Sequence, residues 1–549
     1  MIRSRLVLTK STLLAPRGMV TAEHPTGADV GAAILARGGN AVDAAVATAF
    51  AMPVVEPFMS TIAGSGTMMI HVAKTGQTVC LDFNGTAPMA AHASMFKLIG
   101  GIATYALFQW PRVEDDANVY GYKSVAVPGS VAGLALALER FGTMTLADVI
   151  APAVRLAREG FVADWYQMIN TAKYLEEIAA FPETARLHLR NGRSVFRAPT
   201  MEPGDRVTNP DLARTMELIG RDGPDAFYRG AIAQAIHNDM AAHGGLITKD
   251  DLAAYQVRVL EPLRGRYRDL DVAFSPGATG GTTSLEILNI LEQFAPKACG
   301  HDTPAGLHVR GQAIRRAFAD RFKHMGDPAV VGDAFAFLAT KEHARDAARD
   351  IRRGAGARAS GRPSQDCTTH ISVVDAQRNM VSLTNTAVSL WGSRVVVPGT
   401  GVLLNNGMIW FDPEPGKTNS VGPGKRGMVN MVPVLGFKKG KPSLALGAPG
   451  GRKIISAIPQ VVANLVDGKG TLQRAIDAPR VHDEGLGLEV DDRVGEKALE
   501  ALAKRGHKVV RKTETYASLN FARPVGVRIT PKGLEAGLDS FGAAAAAGH

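Results

Sequence analysis

Several things are scarce in this sequence, and each shortage excludes something. Three cysteines, Cys80, Cys299 and Cys367, are spread over 549 residues. An odd and widely spaced set builds neither a disulfide framework nor a zinc-ligand spacing. Aromatic residues are 6% of the chain. No run of lysine and arginine is interleaved with them, so the platform that an RNA-binding surface needs is missing. No stretch reaches the roughly 18 apolar residues of a membrane span. The basic start MIRSRLVLTK breaks its apolar stretch at Thr9 and Lys10, short of the roughly 7–15-residue core of a secretion signal. From these shortages we expect a cytoplasmic protein with no nucleic-acid partner, no membrane partner, no metal and no cofactor.

What is present is ordinary for a globular chain. Apolar residues are 46% and charged residues 21%, enough for a large core and too apolar for disorder. The 59 glycines point to tight turns and small-residue packing. Gly64-x-Gly66 lacks the lysine and the later glycine of a phosphate-binding loop. Pro25–Ala51 reads as two small-residue helices broken at Gly38-Gly39, followed by strands leading to Val72 and over Thr78–Phe83. Residues 124–260 read as mostly helical, with Pro210–Met240 as one periodic stretch. Helices are also predicted at Thr283–Phe294, Leu307–Arg321 and Lys341–Arg353. Residues 354–366 are small, Gly-rich and arginine-bearing, the composition of a flexible linker. After them comes a hairpin signature: Thr368–Asp375, a turn at 376–379, then Met380–Thr386. Short strands follow at 393–397, 401–404, 432–437 and 443–446, and helices at 454–466 and 495–505. The tail GAAAAAGH is expected to fray.

A free linker directly before a buried strand permits a particular chemistry. If the Cys367–Thr368 bond is cut, Thr368 becomes the N-terminus of a core strand. Its hydroxyl is then a nucleophile, and its own α-amine, with an ordinary pKa of about 7.7–8.0, serves as the base. The same hydroxyl can make the cut by attacking the Cys367 carbonyl. His370 is then unnecessary as a base and is read as structural. The acyl transfer also needs backbone N–H donors for an oxyanion. Ala448-Pro449-Gly450-Gly451-Arg452, between a strand and a helix, can supply them.

These residues and others resemble the γ-glutamyltranspeptidase family of N-terminal-nucleophile hydrolases. The likeness runs through residues 17–57, VAVPGSVAGL (125–134), LITKDDLAAY (246–255), GDP (326–328), DCTTHISVVD (366–375), LLNN (403–406), GPGKR (422–426) and APGG (448–451). It implies an α/β (α+β) fold, a four-layer αββα sandwich made by two chains from one precursor. These are a large chain, 1–367, and a small chain, 368–549, with a homodimer of that pair as a further expectation. It implies Thr368 as the nucleophile, Thr386 as a second threonine that orients it, and Gly450 and Gly451 as the oxyanion hole.

The departures from the family pattern concern its grip on the glutamyl head. Asn84 stands where the family has an arginine, and Val429 and Asn430 where it has a serine pair. Gly407 and Trp410 replace a glutamine and an aspartate, and Val388 replaces an asparagine. Asn84, Asn406, Trp410, Asn430 and Arg452 are therefore the candidate substrate contacts. Trp391 and Met408 join Trp410 in an expected apolar pocket, and Lys453 joins Arg452 in meeting an acidic group. The expectation is a self-cleaving amidohydrolase for a small-molecule amide that is not γ-glutamyl, such as an oxamate or a cephalosporin side chain. A genuine glutathione hydrolase/transferase and an uncut binding homologue remain alternatives. The charge supports a small anionic substrate: of the net +10, the segment from Thr368 onward carries 23 basic against 15 acidic residues.

Overall fold

The β-branched stretches Thr369–Val374 and Met380–Thr386 are buried at every position. Continuous burial of this kind requires cover on both faces of a sheet, and the computed structural model provides it. It describes residues 8–103, 110–354 and 367–549, so the expected linker lies, beyond Gly354, outside the described residues.

The large-sheet strands from the first part of the chain are β1 (Leu14–Ala15), β2 (Met19–Ala22), β3 (Ser65–Val72), β4 (Gln77–Phe83), β5 (Arg258–Leu260), β6 (Leu263–Tyr267) and β7 (Leu270–Phe274). Those from the last part are β8 (Thr369–Val374), β9 (Met380–Thr386), β10 (Val434–Lys438), β11 (Lys441–Gly447), β12 (Val525–Thr530), β13 (Gly533–Leu538) and β14 (Ala545–Gly548). One seven-stranded sheet has the order β14-β2-β8-β9-β3-β4-β5, and the other β1-β13-β12-β11-β10-β7-β6. Each sheet mixes strands from before and after Thr368, so a cut there leaves both parts tied together by ladder hydrogen bonds.

Side-chain alternation builds the layers. Ile371, Val373, Val381 and Leu383 pack with the helices α1 (Pro25–Ala36) and α2 (Ala41–Val55). Val374 and Met380 point the other way and meet Ala445, Leu435 and Val527 of the second sheet. That sheet's far face, Leu444 and Leu446 among it, packs on α3 (Gly280–Glu292), α4 (Pro304–His324) and α5 (Lys453–Gly468). The result is the expected αββα sandwich. No helix among the described residues is long and apolar enough to cross a membrane.

Some local expectations fail for identifiable reasons. The stretch Pro210–Met240 breaks into Pro210–Asp222, Asp225–Tyr228 and Ala231–Ala242, because Gly223 takes a left-handed φ of 76° and Pro224 follows it. The strands expected at 393–397 and 401–404 shrink to Val396–Val397 and Val402–Leu403, since Gly392 and Arg394 also have positive φ. The tail does not fray. Ala545–Gly548 pairs antiparallel with Met19–Ala22, and the His549 carbonyl accepts from Arg17 and Gly18. Backbone pairing needs nothing from the alanine side chains.

Candidate active site

Thr368 stands one residue before β8, an interior strand of its sheet, and is 4% exposed. Its parity is that of His370, on the face toward the second sheet, while Thr369 faces the helices. Thr368 Oγ1 lies 3.2 Å from Thr386 Oγ1 and against the carbonyl oxygen of Cys367. The Val388 N–H donates to Thr386 Oγ1 at 2.8 Å. Thr386 Oγ1 thus accepts from both the Val388 N–H and the Thr368 hydroxyl, and this shared acceptor fixes the Thr368 oxygen. Val388 makes it with φ 90°, a strained conformation for a β-branched residue.

The glycine turn reaches the same end of the sandwich. An added Cβ on Gly447 would fall 2.1 Å from His370 Cε1, and Ser382 Oγ donates to the Leu446 carbonyl at 2.9 Å. Ser382 is paired with Ser372. Passing from Leu446 to Gly447 therefore follows β8 backward from Ser372 to His370, two residues from Thr368. Gly450 has φ 132° and Gly451 φ 50°. A Cβ on Gly450 would also lie 2.5 Å from Ala522 Cα, so both conformation and space demand glycine. The turn is held by Arg523 N–H on the Pro449 carbonyl, 3.0 Å, and opens into α5.

Arg452 and Lys453, expected to meet substrate, are each held by a carboxylate of the chain. Arg452 is fully buried, and its Nε donates to both oxygens of Glu484 at 2.9 and 2.8 Å. Burial pushes the Glu484 carboxyl up, but Arg452 and His482 overcome it and hold the group at about 2. Lys453 pairs with Glu489 at 2.8 Å. Both cations brace the turn from beneath.

The other candidate contacts divide. Asn406 is spent on structure: its amide donates to the Val119 carbonyl and Ser389 Oγ and accepts from Ser389 N–H. Asn84 donates to Asp82 Oδ1 at 2.7 Å and Thr67 Oγ1 at 3.1 Å. The register Thr369–Asn385–Gly66–Phe83 puts it three strands from Thr368, about 14 Å at the usual strand spacing. An arginine spans much of that gap, and an asparagine does not. Asn430 is 4% exposed, and its Oδ1 has no hydrogen-bond partner among the described residues. The expected grouping of three apolar residues is also corrected. Trp391 packs with Phe58, Tyr166 and Cys367, and Met408 with Ala126 and Phe411. Trp410 packs instead with Val388, Ile409, Val429, Met428 and Met431; Val388 and Val429, like Trp410 itself, stand at positions where the resemblance expects polar groups. Gly407 is small because a Cβ there would lie 2.6 Å from that of Ala126.

His370 is fully buried between Thr384 Oγ1 at 2.9 Å and Ser372 Oγ at 3.1 Å, and burial lowers it to about 3. It is therefore a neutral imidazole at neutral pH, with no imidazolium proton to give. Sequence reasoning missed the ion pair of Arg426 with Asp82, 2.6 Å, although Arg426 lies in the GPGKR stretch. The pair borders a cavity of about 90 Å³ lined also by Asn84, Thr279, Asp327 and Val429. Also missed was the one metal-capable group among the described residues, Glu286, Asp320 and His343 on the helices over the second sheet. Arg316 Nε donates to Asp320 at 2.7 Å, so two carboxyls already face two cations there.

The sequence model of the gamma-glutamyltranspeptidase family matches residues 27–549. The chain is 39% identical over 509 residues to an acylase ACY 1 proenzyme of Pseudomonas sp. (strain SE83), covering 92% of this chain and 89% of that one. It is 35% identical over 526 residues to the glutathione hydrolase proenzyme of Escherichia coli (strain K12), covering 91% and 87%. Among solved structures, the cephalosporin acylase from Bacillus halodurans matches with a TM-score of 0.86 and 29% identity, over 100% of this chain and 98% of that one.

Proposed function

The chain belongs to the gamma-glutamyltranspeptidase family, whose members hydrolyse or transfer amides, and from that premise we propose that it is a self-cleaving acylase with Thr368 as nucleophile. In maturation, Thr368 Oγ attacks the Cys367 carbonyl carbon, the C–N bond breaks, and the hydroxyl proton leaves with the new amine. Water then splits the resulting ester, giving a Cys367 carboxylate and a free Thr368. In turnover the same oxygen attacks a substrate amide. The α-amine takes its proton and passes it to the departing amine, and water releases the acid. Thr386 orients the oxygen. The N–H groups at Gly450 and Gly451 take the negative charge of the tetrahedral intermediate, a role worth about 3–4 kcal/mol per donor.

One observation carries the substrate class. Val388, Trp410 and Val429 sit together in an apolar cluster, where a glutamyl head needs partners for an ammonium and a carboxylate. Burying either charge unpaired costs about 3–5 kcal/mol. The acyl group of the substrate is therefore one without the α-ammonium and α-carboxylate. Asn430, with its orphaned carbonyl, is the polar contact left to it.

A panel of anilides tests this by release of the aniline. An acyl anilide lacking the α-amine and α-carboxylate should exceed the γ-glutamyl anilide in kcat/KM by at least about 100-fold. A γ-glutamyl anilide turned over as well as any other, and lost in Thr368→Ala, overturns the substrate class and makes the chain a glutathione-type hydrolase.

A further inference from the structure

Glu56 is a fully buried carboxylic acid that the chemistry above does not use. It caps the end of α2, where its carbonyl accepts from Met59 and Ser60 N–H, and this fixes its backbone. Its side chain reaches the start of β8. Thr369 Oγ1 donates to Glu56 Oε2 at 3.3 Å, while Glu56 Oε1 has no partner among the described residues. The hydroxyl of Thr369 is on the helix side of the strand and that of Thr368 on the sheet side. Glu56 thus lies against the residue next to Thr368, on the face of the strand opposite the Thr368 hydroxyl.

We infer that Glu56 faces the α-amino group freed at Thr368 by the cut, and that it is the positioning residue that sets the proton affinity of that amine. The inference rests on the reading of Thr368 as the N-terminal nucleophile. In the uncut chain the Thr368 nitrogen is an amide and offers no charge to Glu56. Burial then raises the Glu56 carboxyl to about 8, and Asp164 adds to the rise. The cut creates an amine whose ordinary pKa is about 7.7–8.0. The proton on Glu56 moves to it, leaving a carboxylate beside an ammonium, and no atom or electron is gained or lost. The ammonium gives that proton up to solvent before turnover; in each turnover the free amine then takes the hydroxyl proton, and the carboxylate stabilises the ammonium that forms again.

The other charges around Glu56 are accounted for. Asp164 is turned to His24 at 3.1 Å. The Arg523 guanidinium lies 5.2 Å over the Tyr166 ring and donates to the Ser518 carbonyl. Glu23 is a second buried acid, raised by burial and next by Glu56 itself, with Asp539, Arg523 and Lys10 acting on it further. None of these is hydrogen-bonded to Thr369.

The test is the pH profile of kcat/KM for the mature enzyme, whose acid limb reports the pKa of the amine as base. Glu56→Gln should move that limb to lower pH by about one unit, because a like-sized neutral group replaces the carboxylate. Thr369→Val removes the hydrogen bond and keeps the charge, so its limb should stay within about 0.2 units of wild type. A Glu56→Gln limb that does not move, or a Thr369→Val limb that moves as far, overturns the inference. If Glu56→Gln does not fold, the pH dependence of wild-type Thr368 α-amine modification by an amine reagent decides: a midpoint above about 8 is expected, and one below it overturns the inference. Intact mass of the wild type separates the two readings. A chain never cut before Thr368 refutes the nucleophile, whereas a cut, active chain with an unmoved limb refutes only the role of Glu56.

Discussion

Adding one methyl group to Gly447 should slow the chain's maturation severely. The new Cβ would fall 2.1 Å from His370 Cε1 and 2.4 Å from Nδ1, where carbon atoms rest at about 3.5–4.0 Å. The ring cannot retreat, because it is fully buried and hydrogen-bonded to Thr384 and Ser372. The two sheets must part locally by roughly 1 Å, an overpacking cost of about 1–3 kcal/mol, with about 1 kcal/mol more if one of those bonds breaks. Gly450 and Gly451 lie only a few residues beyond, so the N–H groups shift with the strand. An ångström of misplacement costs on the order of 100-fold in rate. The assay is a time course of intact mass for the fragment 368–549, run on Gly447→Ala, His370→Ala and the double variant. The single glycine variant should mature about 100-fold more slowly. The double variant, with room for the methyl, should mature faster than Gly447→Ala alone, a coupling of about 1–3 kcal/mol. A Gly447→Ala chain that matures at the wild-type rate, or a double variant no better than it, refutes the registration of the two sheets on which the site is built.

Other perturbations probe single parts. Thr386→Ala should slow both maturation and turnover by about 10- to 100-fold through the lost hydroxyl contact, while Thr386→Ser keeps most of the rate; equal rates for all three refute the orienting role. Val388→Asn relieves a β-branched residue at φ 90° and should raise the thermal midpoint, by about 1 kcal/mol of strain removed; a lower midpoint contradicts the strain. Glu484 has a folded pKa of about 2 against an ordinary 4.5. Its pairing with Arg452 thus stabilises the fold fully above pH 4.5 and is lost as pH falls toward 2, a contribution of about 3 kcal/mol. Glu484→Gln should be much less stable than wild type at pH 7 and nearly equal near pH 2, as thermal midpoints across that range would show; a gap that does not close with acid contradicts the pairing.

Elements of the fold were readable in the sequence where burial imposes a local pattern, while the layered sandwich followed from the family resemblance. THISVV and MVSLTNT are apolar or β-branched on both faces, and a turn joins them, so the central hairpin is unambiguous. The hairpin Leu263–Phe274 was missed because β6, LRGRY, carries arginines on the edge of its sheet, where solvent makes the pattern polar. The tail was misread because alanines carry no strand signal; what orders them is the open edge of β2, a long-range fact. The site shows the same division. Thr368 and the glycine turn stand out by residue type and place, and Thr386 through the family resemblance. The fates of Arg452 and Asn406 were hidden, because the partners that occupy them, Glu484 and the loop at Ser389, are distant or act through backbone atoms. Glu56 gave no signal at all: an acid after an apolar helix looks like any surface carboxylate until Thr369 is placed over it.

The most direct test of the central claim is the intact mass of the purified protein beside that of Thr368→Ala. The account predicts two wild-type fragments, the smaller beginning at Thr368, and a single uncut chain for the variant. A wild-type chain that stays whole at every age and pH, or a variant that still cuts at Cys367–Thr368, contradicts it.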